Sequence, residues 1–366
     1  MKRIVIEQSA IVTPLGSLSE TTSDLIEGAH AISTDPLFEL PVPFAPFPDT
    51  RFRNLTECAS YLESQIDLTE INNDSTIFIY CTAKGDISAV ENSVLTPDVT
   101  TVISPLLDKQ ADMLCELMNI QPAEKLVISN ACASGSVGIE IAVELLRMEK
   151  YTHALLFGFD CLSRFTASGF YTLSALSDTG ARPFDAERNG LTMGEGAGIA
   201  LLSYRSAYEG DSIVRGAGSS NDANHRTGPS RTGEGLFSAA QAALRDASCA
   251  PESIGGVKCH GTATPYNDAM EAKALTLLFG DNYPPCSSLK GAIGHLSGAG
   301  SLVEVLIAAE CCKRNKLPPT IGYTTHGVDE PIPVSSKAQS LLTPRILCLA
   351  AGFGGLNSAV VVEEYE

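Results

Sequence analysis

The stretch from Lys125 to Asp160 changes hydrophobic pattern twice, and it constrains the fold more than any other part of the chain. L-V-I-S is a short apolar run bounded by polar residues. A-C-A-S-G-S-V-G-I-E-I-A-V-E-L-L-R-M-E-K has the length and spacing of a helix, and A-L-L-F-G-F-D is a second short apolar run. Short buried run, helix, short buried run is the signature of a β-α-β unit. Within the helix, Glu140, Glu144 and Arg147 form one narrow stripe, while Val137, Ile141, Leu145, Leu146 and Met148 cover most of the remaining circumference. A helix patterned in this way is buried on nearly all sides.

Two further apolar strands, G-I-A-L-L-S-Y near residue 200 and L-C-L-A-A-G-F near residue 349, frame a second set of helices at 234–247, 267–279 and 299–314. The alternation predicts an α/β chain in two similar halves, 1–205 and 206–366, joined as one compact unit. No short repeat or low-complexity linker separates them. The segment Thr34 to Thr50, rich in proline and phenylalanine without either period, reads as a surface loop or excursion.

Composition narrows the function classes. An apolar fraction of 44% and a charged fraction of 19% over 366 residues fit a globular chain with a substantial core. No run approaches the length of a membrane span, and the start M-K-R-I-V-I-E-Q-S-A-I-V-T-P-L-G turns polar too soon for a signal segment, so it reads as a first strand. A formal charge of −18 argues against nucleic acid as a partner, because phosphate neutralisation needs a basic face. Eleven cysteines, an odd number without paired spacing, suggest reduced thiols and a cytoplasmic location. The neighbours Cys311 and Cys312 read as small core residues rather than metal ligands. The sequons at Asn54 and Asn73 are then chance matches.

Cys132 lies in a strand-to-helix turn, S-N-A-C-A-S-G-S, where unsatisfied N–H groups favour a thiolate and small neighbours leave room for a carbonyl. A lone cysteine is more often a core residue, but two histidines in glycine-flanked loops accompany it. They are His260 in C-H-G-T-A-T-P-Y-N-D and His295 in S-S-L-K-G-A-I-G-H-L-S-G-A-G. One cysteine and two imidazoles suit thioester chemistry, in which the imidazoles donate to a carbonyl that gains negative charge. Lys290 is placed to orient that site or to neutralise a carboxylate, or is an ordinary surface lysine, and Glu271 lies on the helix after the first histidine loop. The turn A-G-F-G-G-L-N, residues 351–357, permits close backbone approach and lacks the spacing of a phosphate loop.

In this order and wording, N-A-C-A-S-G, A-R-P-F-D-A-E-R-N-G-L-T-M-G-E-G-A-G, H-G-T-A-T-P-Y-N-D-A-M-E-A, K-G-A-I-G-H-L-S-G-A-G and G-F-G-G-L-N resemble the elongating β-ketoacyl-acyl carrier protein synthases, and the opening I-V-T-P-L-G agrees. The resemblance implies a thiolase-like five-layered α-β-α-β-α sandwich of two related halves, usually dimeric. It implies that Cys132 accepts the acyl group and that His260 and His295 assist decarboxylation of a malonyl unit, with Lys290 and Glu271 supporting them. It further implies that Thr262 and Thr264 touch a phosphopantetheine arm, that Phe353 gates the acyl pocket and forms an oxyanion hole with Cys132, and that Phe170 and Gly354 contact substrate. Neither metal nor redox cofactor is implied, since the substrates ride on the phosphopantetheine of acyl carrier protein. The partner subunit would be a second copy or a ketosynthase-like chain.

Two departures bear on this expectation. The chain is shorter than the family pattern around residues 30 to 110. Ser174 stands where many members place an arginine for carrier docking, which leaves Arg51 and Arg53, or a basic face of the partner subunit, as the expected docking cations. The competing readings are a noncatalytic chain-length subunit, which should lack the nucleophile, and a carrier-independent acyltransferase.

Overall fold

The computed structural model describes residues 2–34, 37–69, 71, 73–88, 90–91 and 106–366. Ten strands form the main sheet system: β1 Lys2–Val12, β2 Thr76–Cys81, β3 Glu124–Ile128, β4 His153–Asp160, β5 Gly196–Ser206, β6 Ser212–Asn221, β7 Gly256–Lys258, β8 Cys286–Ser287, β9 Arg345–Gly352 and β10 Leu356–Glu364. Their spatial order is β8-β7-β9-β10-β6-β1-β5-β4-β2-β3. Counted outward from the centre, the first half runs β1-β5-β4-β2-β3 and the second β6-β10-β9-β7-β8. The two orders are the same once five is added to each number. Pairing directions repeat as well: antiparallel, antiparallel, parallel, parallel in both halves. The halves join along a short antiparallel contact in which Ile4 faces Val214 and Val5 faces Ile213.

Side-chain alternation along the strands sorts the helices into layers. Ile77, Ile79 and Cys81 of β2, with Val360 and Val362 of β10, point into a central layer holding α4 (Ser134–Arg147) and α8 (Gly300–Arg314). Phe78 and Tyr80 point the other way, onto α2 (Leu55–Glu63) and α3 (Leu107–Leu117). Ala359 and Val361 of β10 likewise face α6 (Glu234–Ala247) and α7 (Pro265–Phe279). The result is the expected five-layered α-β-α-β-α sandwich, with α1 (Leu18–Glu27) and α5 (Arg164–Thr172) at its margins. In the middle, α4 and α8 approach at backbone distance: a Cβ on Gly135 would lie 2.3 Å from the Leu302 nitrogen. Leu302 itself is fully buried, a placement that contributes roughly 1.5–3 kcal/mol for a leucine.

The 34–50 segment differs from its expectation. Val42, Phe44, Ala45 and Phe47 are buried, Phe44–Ala45 pairs with Met193–Gly194, and the Phe47 N–H donates to Glu195 (2.6 Å). The segment has no helix or strand period because its aromatic rings fill gaps between elements rather than facing one layer. Met148 is also exposed, one residue beyond the last turn of α4. The Asn54 sequon holds a helix cap, with the side chain accepting from the Thr56 and Glu57 N–H groups. Of the region expected to be short, 92–105 lies outside the described residues.

Candidate active site

Cys132 sits in a single tight turn, Ala131–Ala133, between β3 and α4. Ala131 adopts φ +48°, a left-handed conformation costly for a residue with a Cβ. Ser134 holds it there: its hydroxyl accepts from the Asn130 N–H (2.8 Å) and donates to the Ala131 carbonyl (2.7 Å). The β9–β10 turn lies directly over this point. A Cβ on Gly352 would come within 3.2 Å of the Cys132 nitrogen, and Gly354 turns the chain at φ +90°.

The charge state of the cysteine departs from the sequence expectation. Part of the residue faces the cavity, yet burial pushes its thiol up to about 11, outweighing Lys290 and Lys84, which pull it down. A helix start contributes typically 0.3–1 kcal/mol, about half a pKa unit. That is too little to reverse the desolvation. At neutral pH Cys132 is therefore a thiol, and any reaction at its sulfur needs an acceptor for the proton.

Two histidines line the same cavity, in surroundings that favour their neutral, hydrogen-bond-donating form. His260 follows β7, and the loop to Thr264 is clamped by two carboxylates one turn apart on α7. Glu271 accepts from the N–H groups of His260 (2.6 Å) and Gly261 (2.7 Å), and Asp268 accepts from those of Ala263 (3.1 Å) and Phe184 (2.7 Å). These contacts hold Gly261 and Ala263 at positive φ. His295 is fixed by backbone bonds to Thr192 and Gly194, and its Nδ1 accepts from the Ser297 N–H (3.1 Å). An imidazole that accepts at Nδ1 carries its proton at Nε2, so His295 presents a donor. The rings stand edge to face, 5.5 Å apart. Both are held neutral, His295 at about 3 and His260 well below its usual range, by burial first and by Lys290 second.

Behind them, Lys258 and Lys290 share one carboxylate. Glu304 accepts from Lys258 Nζ (2.5 Å) and Lys290 Nζ (2.6 Å), and all three side chains are almost wholly buried. Lys290 thus acts from behind the cavity wall, and so does Glu271, through the backbone of the histidine loop. Sequence reasoning missed Lys258, Glu304 and Asp268. Asp268 had a signal, its three-residue offset from Glu271 on one helix face.

A cavity of about 390 Å³ gathers Cys132, His260, His295, Thr262, Thr264 and Phe353 on one surface. The Thr262 and Thr264 hydroxyls lie 2.9 Å apart. Phe170 stacks on Phe353 at 5.5 Å between centroids, and Ser174 also lines the cavity. Gly354 does not line it, contrary to expectation; its N–H donates to the Arg226 carbonyl (2.7 Å), tying two loops at the rim. Of the expected docking cations, Arg53 pairs with buried Glu195 (3.0 Å), and Arg51, itself exposed, pairs with Asp49 (2.6 Å). No helix among the described residues is long and apolar enough to cross a membrane.

Comparison with known proteins places the fold and the family. The family model for the N-terminal domain of β-ketoacyl synthases matches residues 91–207, and that for the C-terminal domain matches 212–324. The chain is 34% identical over 250 residues to the 3-oxoacyl-(acyl-carrier-protein) synthase 2 of Staphylococcus aureus strain COL, a match covering 64% of this chain and 60% of that protein. It spans under two thirds of the length of such curated relatives. The crystal structure of a β-ketoacyl synthase from Burkholderia phymatum STM815 superposes over the whole of both chains with a TM-score of 0.87 at 27% identity. A ketosynthase solved in complex with its type II PKS acyl-carrier protein shares the fold, with a TM-score of 0.86 at 21% identity and full coverage of both chains. With both models matched in chain order over more than half its length, the chain belongs to the β-ketoacyl synthase family.

Proposed function

We propose that this chain catalyses decarboxylative condensation of an acyl group held on Cys132 with a malonyl thioester carried by acyl carrier protein. The carrying observation is one cavity that presents a thiol, two neutral imidazoles and the Phe353 turn. Acyl transfer exchanges thioesters: the Cys132 sulfur bonds to the acyl carbon, the carrier sulfur leaves, and the thiol proton passes through an imidazole to the carrier thiolate. Malonyl-carrier then loses carbon dioxide, leaving its electron pair as an enolate whose oxygen receives the imidazole N–H groups. The enolate carbon attacks the acyl-enzyme and expels the Cys132 thiolate, which takes up a proton. A noncatalytic chain-length subunit would not need this combination. Phe170 stacked on Phe353 supports an acyl pocket behind the gate.

The carrier's approach is assigned to another surface than Arg51 and Arg53. A wider cavity of about 1260 Å³ adjoins the first, sharing Asp222, Gly228, Pro229 and Tyr266. Arg231 and Lys273 line it, and Arg226 is exposed on the same loop. None of these three cations is in an ion pair among the described residues, which suits an acidic carrier against a chain of charge −18. Fatty-acid or specialised polyketide synthesis, cytoplasmic residence and a dimer with itself or a ketosynthase-like subunit complete the proposal, the location supported by eleven free thiols.

Intact-mass analysis against a panel of acyl-carrier thioesters tests the reading. The wild-type chain should gain one acyl mass and Cys132→Ser none. An acyl mass retained stably on the serine variant at another residue would reject the assignment.

A further inference from the structure

Lys258 has no part in the chemistry set out above, yet it is one of the most thoroughly buried cations in the chain, with a side chain 3% exposed. It is the last residue of β7, two positions before His260 in the loop that follows. Its ammonium donates to Glu304 (2.5 Å) and to the Leu349 carbonyl (2.8 Å). Glu304 is already paired with Lys290, so two ammonium groups share one carboxylate. Burying a charge is costly unless it is compensated, and the Glu304–Lys290 pair would be balanced without a second lysine. Its bond to the Leu349 carbonyl satisfies one buried acceptor, but the second charge it adds beside Lys290 is more than that bond requires.

The charged and titratable surroundings are few. Glu304 and Lys290 touch the group or its partner, Cys348 lies beside it on β9, and Glu271 faces it from α7 with both oxygens on backbone N–H groups. Lys258 in turn acts on both imidazoles, in the direction that disfavours their protonation, alongside Lys290. A cation behind a neutral imidazole also strengthens its N–H as a donor to an oxygen gaining negative charge on the far side.

Resting on the condensation reading, we propose that Lys258 is a positioning residue of the decarboxylation step: through the Lys258–Glu304–Lys290 cluster it polarises the His260 and His295 donors toward the developing enolate. It does not touch substrate. Its effect belongs to the transition state of carbon dioxide release and not to acyl transfer or carrier binding.

The test uses Lys258→Met, which keeps the stem and leaves Glu304 paired with Lys290. Lys258→Gln is the second variant, in case the thioether packs badly. Carbon dioxide release from malonyl-carrier, acylation of Cys132 by intact mass, and thermal midpoint are measured together. The expected result is a roughly 10-fold fall in kcat for decarboxylation in both variants, with KM, acylation rate and midpoint close to wild type. Wild-type kcat in either folded variant overturns the proposal, and so does a parallel fall in acylation and midpoint, which marks a purely structural lysine. If the wild-type chain neither acylates nor releases carbon dioxide, the condensation reading itself fails, an outcome the variants cannot mimic.

Discussion

The two halves repeat one strand order and one set of pairing directions, but their equivalent strand-to-helix turns carry different chemistry. Between β3 and α4 the first half holds a thiol in a turn of small residues, with Ser134 fixing the backbone. Between β8 and α8 the second half holds Lys290 and His295, and its glycine Gly298 accepts the Gly135 N–H of the other half (3.1 Å). An acyl acceptor needs little more than a tight turn and space. A centre that meets a growing negative charge needs donors held against buried charge, and the second half contains Lys258, Glu304, Asp268 and Glu271 around its histidines. The fold is duplicated; the electrostatics are not.

The largest effect that would break this division is at His295. His295→Ala should lower carbon dioxide release from malonyl-carrier by roughly 100- to 1000-fold, the usual result of removing one oxyanion donor, while Cys132 still accepts an acyl group. Equal loss in both half-reactions, followed by acid-quenched mass spectra and gas release, would merge the two regions into one functional unit.

A second measurement sharpens the account of the first half. A thiol at about 11 is protonated at neutrality, and its thiolate fraction grows tenfold per pH unit below that value. Iodoacetamide alkylation of Cys132 should accordingly climb about tenfold per unit from pH 7 to 9, without levelling. A plateau below pH 8 would show that the start of α4 and the two lysines overcome burial after all.

The smallest effect concerns the surface outside both turns. Exposed charge pairs contribute about 0.2–1 kcal/mol each, so Arg226→Ala with Arg231→Ala should reduce kcat/KM for carrier-bound substrate by no more than roughly 30-fold. The deficit should shrink as salt is raised. Acylation from a small carrier-free thioester should be unaffected, and an equal loss there would place the two arginines in the site's architecture instead of its docking face.

Much of this molecule was legible in the sequence because local patterns carried it. The β-α-β stretch and the helices at 234–247 and 299–314 follow from hydrophobic period and glycine punctuation, and the gathering of Cys132, His260 and His295 is what the resemblance of the motifs implies. Other properties arise only when distant segments meet. The thiol's charge state depends on burial by chain far from Cys132, and no local window contains that burial. Arg53 meets Glu195, 142 positions away, and Lys258 meets Glu304 and Leu349, 46 and 91 positions away. The sequence by itself determined which groups are present and which elements carry them. Only the tertiary structure decided their charge and their partners, because desolvation and Coulomb interaction depend on distance in space and not along the chain.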